Sequence, residues 1–272
     1  MGDNPEIACE THGPVAIIRL NRADKLNALT YPMIGGIKDA AEAAERDGDI
    51  TGIVITGEGR AFSAGLDAEE LTKASARGAQ SDSKADRKEG GDLPALFSFL
   101  PRISKPVISA VNGPAAGGGF VLAMMSDLRF FGESGRVTTV FSKRGLIAEH
   151  GTSFLLPRMV GLSRSLDLLW SSRMVGAEEA LRLGLADRVF PDDQLIESSI
   201  AYVKKLAEEV SPRSLAVMKE QVYRHLSQSF EDSSWETTAM VDEALAHPDA
   251  TEGVMSFVER RPPRFASWTG GK

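Results

Sequence analysis

An α/β fold is predicted by two features of the sequence: short runs rich in β-branched residues, and longer alanine-rich segments of helical character between them. The short runs cover Val15–Leu20, residues 53–56, Val107–Val111 and residues 189–190. Tyr31–Arg46 follows the first run, with Thr30 before it as a capping residue and Pro32 near its start, where a missing N–H is harmless. We therefore predict a helix over residues 31–46.

Composition and charge restrict the class of protein. The chain has 272 residues, of which 42% are hydrophobic and 25% charged, which is ordinary for a globular protein and argues against a disordered or fibrous one. The formal net charge of −7 gives no electrostatic reason to bind nucleic acid. No stretch approaches the roughly 18 consecutive apolar residues of a membrane span.

Cysteine and histidine usage argues against disulfides and metal sites. Cys9 is the single cysteine, so an intrachain disulfide is impossible and a cysteine-based zinc site lacks ligands. The four histidines form no closely spaced pair, so we expect no metal site. The N-terminal segment is acidic and has no apolar run, which predicts a cytoplasmic protein.

The pattern changes beyond Pro191. Apolar residues from Leu195 to Leu245 recur at helical spacing, which predicts an all-helical C-terminal quarter. We predict a core over residues 1–194 and a helical region over residues 195–272 that covers the core and takes part in oligomerisation. Residues 72–92 are polar and nearly free of large apolar groups, which predicts a mobile loop.

Two glycine-rich segments follow predicted strands. GEGRAFSAGLD (57–67) comes after the strand at 52–56, and NGPAAGGG (112–119) lies between a strand and the apolar residues 120–125. Backbone N–H groups at such positions, and at a helix N-terminus, can hold an anion or a developing oxyanion. The alternative for both segments is a tight turn that only permits close packing. Neither segment has the spacing of a P-loop or a dinucleotide fingerprint.

A third segment, GLIAEHG (145–151), places Glu149 and His150 among apolar residues. A carboxylate in apolar surroundings can act as a base near neutral pH. The alternative is a surface loop with two exposed polar side chains.

Ser63 calls for a separate hypothesis, because AFSAG (61–65) differs by one residue from the nucleophile elbow Gly-x-Ser-x-Gly. His150 is a candidate partner, but no flanking pattern supports a serine hydrolase, which remains the weaker alternative.

Together these segments resemble, in the same order, the landmarks of the crotonase family, the enoyl-CoA hydratase/isomerase superfamily. The resemblance extends along nearly the whole chain. Asn21-Arg22 together with KLNAL (25–29) resembles the first CoA-binding loop, and AFSAGLD (61–67) and KPVISAVNGPAAGGG (105–119) resemble the two oxyanion loops. LPRMVG (156–161) and GLADRVF (184–190) resemble the landmarks that follow, and EGVMSFVERRPPRF (252–265) resembles the tail of a hydratase.

The resemblance implies a crotonase-like α/β spiral of ββα units with a C-terminal helical region, assembled as a homotrimer or a dimer of trimers. It implies an enzyme for an acyl-CoA thioester, with coenzyme A as part of the substrate and no separate cofactor. Two backbone N–H groups, placed by the resemblance at Ala64 and Gly118, would hold the oxygen of the thioester enolate. Substrate-binding positions carried over from the family are Lys25, Leu26, Ala28, Leu66, Asp67, Gly117, Val121, Phe141, Phe257 and Arg260.

The sequence departs from the family at the acid–base positions. Val121 and Phe141 occupy the places of the two glutamates of a typical hydratase, and neither can transfer a proton. Glu149 stands where dienoyl-CoA isomerases of the family carry an acidic catalytic residue, and one carboxylate suffices to move a proton between two carbons. The pattern favours double-bond isomerisation over two-glutamate hydration. His150 either hydrogen-bonds to Glu149 or faces solvent.

A second hypothesis is an acyl-CoA-binding protein that has kept the oxyanion loops and lost catalysis. It predicts thermal protection by acyl-CoA without turnover of any enoyl-CoA.

Overall fold

Two β-sheets organise the chain, which a computed structural model describes over residues 4–78 and 95–269. The strands are β1 Ile7–Thr11, β2 Val15–Leu20, β3 Gly52–Gly57, β4 Val107–Val111, β5 Pro114–Ala116, β6 Leu128–Gly132, β7 Arg136–Thr138, β8 Val175–Gly176 and β9 Arg188–Phe190. The larger sheet has the strand order β1-β2-β3-β4-β6-β9, and the smaller one β5-β7-β8. Only the pairings of β1 with β2 and of β7 with β8 are antiparallel among the described strands.

Helices connect and cover these strands. They are α1 Tyr31–Arg46, α2 Ala68–Gly78, α3 Gly118–Met125, α4 Thr152–Val160, α5 Leu162–Ser171, α6 Ala177–Leu183, α7 Leu195–Glu209, α8 Pro212–His225, α9 Phe230–Ala246 and α10 Pro248–Glu259. In the successive units β4-β5-α3 and β6-β7-α4, the first strand joins the larger sheet and the second the smaller one. The chain therefore advances as a spiral of ββα turns, and the predicted α/β class is confirmed.

The parallel strands are buried on both faces, as expected for strands flanked by helices. Every residue of β3 and β4 is buried. Ile53 and Ile55 belong to the main hydrophobic cluster, whereas Val54 belongs to a second cluster on the opposite face, which Leu195 and Val203 of α7 complete. The first C-terminal helix therefore packs on the sheet itself.

The predicted helix over residues 31–46 is confirmed with both ends in place. The N–H of Met33 donates to the Thr30 hydroxyl oxygen at 3.2 Å, so Thr30 is the N-cap. At the other end, the ammonium group of Lys105 donates to the carbonyl oxygens of Ala44, at 2.9 Å, and Asp47. This contact ties the end of α1 to the start of β4.

The predicted mobile loop over residues 72–92 is wrong for its first part, because residues 72–78 are the continuation of α2. The carboxylate of Asp67 accepts the N–H of Glu69 at 3.0 Å, and Glu69 and Glu70 lie in the first turn, where negative charge is favourable. These interactions start a helix that composition alone did not indicate. The remainder of the predicted loop lies outside the described residues.

The predicted all-helical C-terminal quarter is confirmed by α7 to α10. Helix α8 is anchored to the core through Lys219, whose ammonium group donates to a carboxylate oxygen of Asp127 at 2.7 Å and to two carbonyl oxygens. The hydroxyl of Tyr223 donates to the other Asp127 oxygen at 2.9 Å. The role of this region in oligomerisation remains a prediction.

Membrane spans and metal sites can be assessed only for the described part of the chain. None of the helices there combines the length and apolar character needed to cross a membrane. Residues 4–78 and 95–269 also contain no group of three or more metal-ligating side chains placed to hold an ion.

Candidate active site

The two glycine-rich segments lie against each other. Ser63 forms an isolated parallel bridge with Ala115. A Cβ on Gly65 would lie 2.7 Å from the carbonyl oxygen of Ala116, and one on Gly119 would lie 2.4 Å from that of Ser63. Only glycine permits such close backbone approach. The structure is therefore compatible with both interpretations of these segments, tight packing and anion binding. The direction of the backbone N–H groups distinguishes the two interpretations.

The N–H of Leu66 is directed away from its neighbouring segment. The carbonyl oxygen of Gly65 accepts the N–H of Leu29 at 2.7 Å. Because a trans peptide is planar, its C=O and N–H point in opposite directions. The N–H of Leu66 therefore points away from Leu29, and it has no hydrogen-bond acceptor among the described residues.

The N–H of Gly118 is directed outward by the same reasoning. Gly118 is the first residue of α3, and the carbonyl oxygen of Gly117 accepts the N–H of Val121 at 2.9 Å. The N–H of Gly118 consequently points out of the helix N-terminus, where the helix dipole also favours negative charge. A Cβ placed on Gly118 would lie 3.5 Å from the nitrogen of Leu66, so the two donors border the same space.

This arrangement corrects the prediction for Ala64. Its N–H donates to the carbonyl oxygen of Leu26 at 2.9 Å and is therefore not available to a ligand. Leu66, predicted only as a substrate-binding residue, supplies the outward-pointing N–H instead. Whether the N–H of Ala64 or that of Leu66 points outward depends on the pairing of Leu66 with Leu29, and that pairing is a tertiary contact.

The serine hydrolase alternative is wrong. Ser63 is fully buried, and its hydroxyl donates to the carbonyl oxygen of Asn27 at 2.8 Å and accepts the N–H of Gly65 at 3.3 Å. A nucleophile must reach its substrate, whereas this hydroxyl holds two loops together.

The predicted CoA-binding loop is stabilised from its buried side. Leu26 and Asn27 have positive φ angles of 51° and 54°. The buried amide of Asn27 donates to the carbonyl oxygens of Glu58, at 2.9 Å, and Ala61, at 2.8 Å, which compensates for this conformation. The side chain of Lys25 is exposed, and Leu26 and Ala28 are half-buried. The loop is thus held from its buried side, and its predicted binding residues are exposed or half-buried.

Val121 and Phe141 contribute only apolar surface. Val121 lies on α3, and both residues belong to the main hydrophobic cluster, with exposures of 1% and 5%. The structure therefore has buried apolar side chains at the two positions that the resemblance assigns to the acid–base glutamates. Their contact with a substrate remains a prediction.

Glu149 and His150 are partly buried neighbours on the loop before α4, with side-chain exposures of 34% and 25%. The Nε2 of His150 lies 4.0 Å from a carboxylate oxygen of Glu149. The Nδ1 of His150 accepts the N–H of Leu96 at 3.4 Å, which places the proton of the neutral ring on Nε2, facing Glu149. Burial lowers the pKa of His150, so the neutral ring is favoured. His150 thus faces the carboxylate of Glu149.

The loop that carries Glu149 also rests on α3, the helix whose first residue is Gly118. A Cβ on Gly151 would lie 3.2 Å from the terminal methyl of Met125, at the end of α3. The N–H of Thr152 donates to the backbone carbonyl oxygen of Glu149 at 3.0 Å. One short helix therefore connects the loop that carries the candidate base with one of the two oxyanion donors.

Phe257 and Arg260 lie at the end of α10 with exposed side chains, Phe257 at 84%. Their predicted role at the nucleotide end of the substrate remains a prediction.

An α/β fold with two outward-pointing N–H groups beside each other is an arrangement suited to an enzyme that holds negative charge developing on a carbonyl oxygen. Residues 10–268 match the family model described as enoyl-CoA hydratase/isomerase. The chain belongs to the enoyl-CoA hydratase/isomerase family, the crotonase superfamily, as predicted, and it is an enzyme that acts on acyl-CoA.

Individual relatives support this assignment. A putative enoyl-CoA hydratase of Thermus thermophilus is 35% identical over 93% of this chain and 98% of its own length. A probable mitochondrial enoyl-CoA hydratase of Dictyostelium discoideum is 33% identical over 94% of this chain and 89% of its own. A crystal structure of an enoyl-CoA hydratase subunit from Geobacillus kaustophilus has a TM-score of 0.84 at 33% identity, covering 96% of this chain and 97% of that one. The crotonase fold is thereby confirmed.

Proposed function

We propose that this enzyme shifts a carbon–carbon double bond of an unsaturated acyl-CoA through an enolate, with Glu149 as the base. The observation that carries the proposal is the combination of two outward-pointing N–H groups with the partly buried carboxylate of Glu149, on a loop that packs against α3, while Val121 and Phe141 are buried and apolar. The relatives named above are called hydratases. The proposal departs from that name because neither Val121 nor Phe141 can activate water.

The proposed reaction conserves all atoms. For a 3-enoyl thioester, the carboxylate of Glu149 removes a proton from C2, and the electron pair of that C–H bond moves toward the carbonyl oxygen. The resulting dienolate is then protonated at C4 by the same carboxyl group, which regenerates the base and leaves the double bond between C2 and C3. No water enters the product.

The N–H groups of Leu66 and Gly118 would hold the enolate oxygen. Each donor aimed at a developing oxyanion typically contributes roughly 3 to 4 kcal/mol to lowering the barrier. His150, whose Nε2 faces Glu149, would orient the carboxylate. The CoA portion would lie along Lys25, Leu26, Ala28, Leu66, Asp67 and Gly117.

The assembly we propose is a homotrimer or a dimer of trimers. The C-terminal helices expose large apolar side chains, which a second copy of the chain would cover. They include Phe230 at 89% exposure, Phe257 at 84%, Trp235 at 70% and Leu245 at 70%. In such an assembly Phe257 and Arg260 could reach the nucleotide of a substrate bound to a neighbouring subunit.

The test is incubation with a panel of 2-enoyl-, 3-enoyl- and dienoyl-CoA thioesters, with products identified by mass spectrometry and NMR. We expect an isomer of unchanged mass, and its loss in Glu149→Gln. The matched control is Glu208→Gln, which changes an exposed glutamate on α7.

Three outcomes would contradict the proposal. A product heavier by one water would show hydration. Full turnover by Glu149→Gln would show that Glu149 is not the base. Thermal protection by acyl-CoA without any product would favour the non-catalytic binding protein.

A further inference from the structure

We propose that Arg22 is a positioning residue, which fixes the direction of the Leu66 N–H through two peptide groups, Ala28–Leu29 and Gly65–Leu66, that are joined by a hydrogen bond. The inference rests on the oxyanion hole of the proposed function. Arg22 lies on the loop between β2 and α1, and its side chain is 17% exposed. Its effect on the reaction would pass entirely through the backbone.

The guanidinium group of Arg22 connects three segments of the chain. Its Nη1 donates to the carbonyl oxygen of Ala28 at 2.7 Å and to a carboxylate oxygen of Asp67 at 3.1 Å. Its Nε lies 3.0 Å from a carboxylate oxygen of Glu6. These are charge-assisted contacts in a partly buried setting, and their planar geometry suits arginine better than lysine.

The contact with Ala28 orients the peptide that precedes Leu29. With the carbonyl oxygen of Ala28 held by Arg22, the N–H of Leu29 must point the opposite way, toward Gly65. That N–H donates to the carbonyl oxygen of Gly65 at 2.7 Å. The same rule applied to the peptide of Gly65 directs the N–H of Leu66 into the oxyanion hole.

The contact with Asp67 holds the other side of Leu66. The backbone N–H of Asp67 donates to the carbonyl oxygen of Leu29 at 2.9 Å. The N–H of Glu69 and the guanidinium of Arg22 hold the pKa of the Asp67 carboxyl below its usual range, so this side chain is ionised at neutral pH. Arg22 therefore restrains Leu66 from both flanking residues and leaves the donor itself free.

The variants are Arg22→Met, which removes the contacts, and Arg22→Lys, which keeps the charge without the planar group. Arg173→Met is the control, because Arg173 pairs with Asp167 and Glu179 at the surface and contacts neither glycine loop. Thermal melting establishes that each variant is folded. If Arg22→Met does not fold, Arg22→Lys carries the test.

The direct readout is the infrared carbonyl band of bound butyryl-CoA labelled with ¹³C at its thioester carbon, which requires no turnover. We expect the wild-type enzyme and Arg173→Met to shift this band to lower frequency, and Arg22→Met to lose most of the shift. With the unsaturated substrate, kcat should fall roughly 10- to 100-fold in Arg22→Met, while KM changes little. Arg22→Lys should retain part of the band shift and part of the wild-type kcat.

An unchanged carbonyl band in Arg22→Met would overturn the inference. A rise in KM at constant kcat would also overturn it, because Arg22 would then serve substrate binding. A wild-type enzyme that shifts the band but isomerises no thioester would refute the proposed function alone, leaving the role of Arg22 supported by the band. A wild-type enzyme that does not shift the band would overturn the oxyanion hole and, with it, this inference.

Discussion

The three consecutive glycines at the start of α3 should respond differently to alanine, and Gly118→Ala is the most informative change. Its Cβ would lie 3.2 Å from the Cδ1 of Leu29, the movable end of a side chain, and 3.5 Å from the nitrogen of Leu66. Alanine also favours a helix over glycine by about 1 kcal/mol. We therefore expect stability close to that of the wild-type protein.

The activity of Gly118→Ala should nevertheless fall sharply. The added methyl group occupies the space that the two N–H groups border, so the thioester oxygen can no longer approach both. Loss of one oxyanion donor typically lowers kcat by about 10² to 10³-fold. Steady-state kinetics with the unsaturated acyl-CoA measures this effect, and urea unfolding measures the stability.

Gly119→Ala and Gly117→Ala are the matched comparisons. On Gly119, a Cβ would lie 2.4 Å from the backbone oxygen of Ser63, and this overlap should cost roughly 1 to 3 kcal/mol of folding free energy. Gly117 has no heavy atom within 4 Å of a built Cβ, but its φ of +50° should cost roughly 1 to 3 kcal/mol. The reasoning is refuted if Gly118→Ala keeps full kcat, or if Gly119→Ala is as stable as the wild-type protein.

Two further predictions concern buried titratable groups. Lys219→Met should lower the free energy of unfolding, measured in urea, by about 3 to 5 kcal/mol, because it leaves the carboxylate of Asp127 without its buried cation. The control is Lys205→Met, which removes an exposed ion pair and should lower the same free energy by under about 1 kcal/mol. Burial lowers the pKa of His150 below its ordinary 6.5, so the unfolded chain takes up this proton first and stability should decrease as the pH falls below about 6.5. In urea unfolding at several pH values, the free energy of unfolding should decrease less at low pH in His150→Asn than in the wild-type protein. Asparagine is chosen because it tolerates the φ of +53° at this position. An identical pH dependence in the two proteins would contradict the prediction.

Much of the fold could be predicted from local patterns. The bounds of α1, β2 and β4 follow from a capping residue, an N-terminal proline and runs of β-branched residues, which act within a few residues of each position. The missed continuation of α2 has a different cause. Its first turn is stabilised by the carboxylate of Asp67, and the orientation of that side chain depends on Arg22, 45 residues earlier in the chain.

The candidate site could be predicted only in outline. The glycine-rich segments indicated that backbone N–H groups would face a ligand, and Glu149 stood out as a carboxylate among apolar residues. The prediction for Ala64 is wrong, because the N–H groups of Ala64 and Leu66 lie two residues apart and nothing local distinguishes them. The acceptor of the Ala64 N–H, the carbonyl oxygen of Leu26, lies on a different loop.

By itself, the sequence determined the α/β class, the family and the positions of the glycine-rich loops, and it placed Val121 and Phe141 where the resemblance expects glutamates, since each of these depends on residue type and order. Only the tertiary structure decided that Leu66 and Gly118 have outward-pointing N–H groups, that Ser63 is buried, and that Arg22 connects the loop at residues 21–29 with Asp67. The physical reason is that an N–H direction follows from the hydrogen bond of the carbonyl group on the same peptide. In this enzyme the decisive bond, from Leu29 to Gly65, joins segments that meet only in the folded chain.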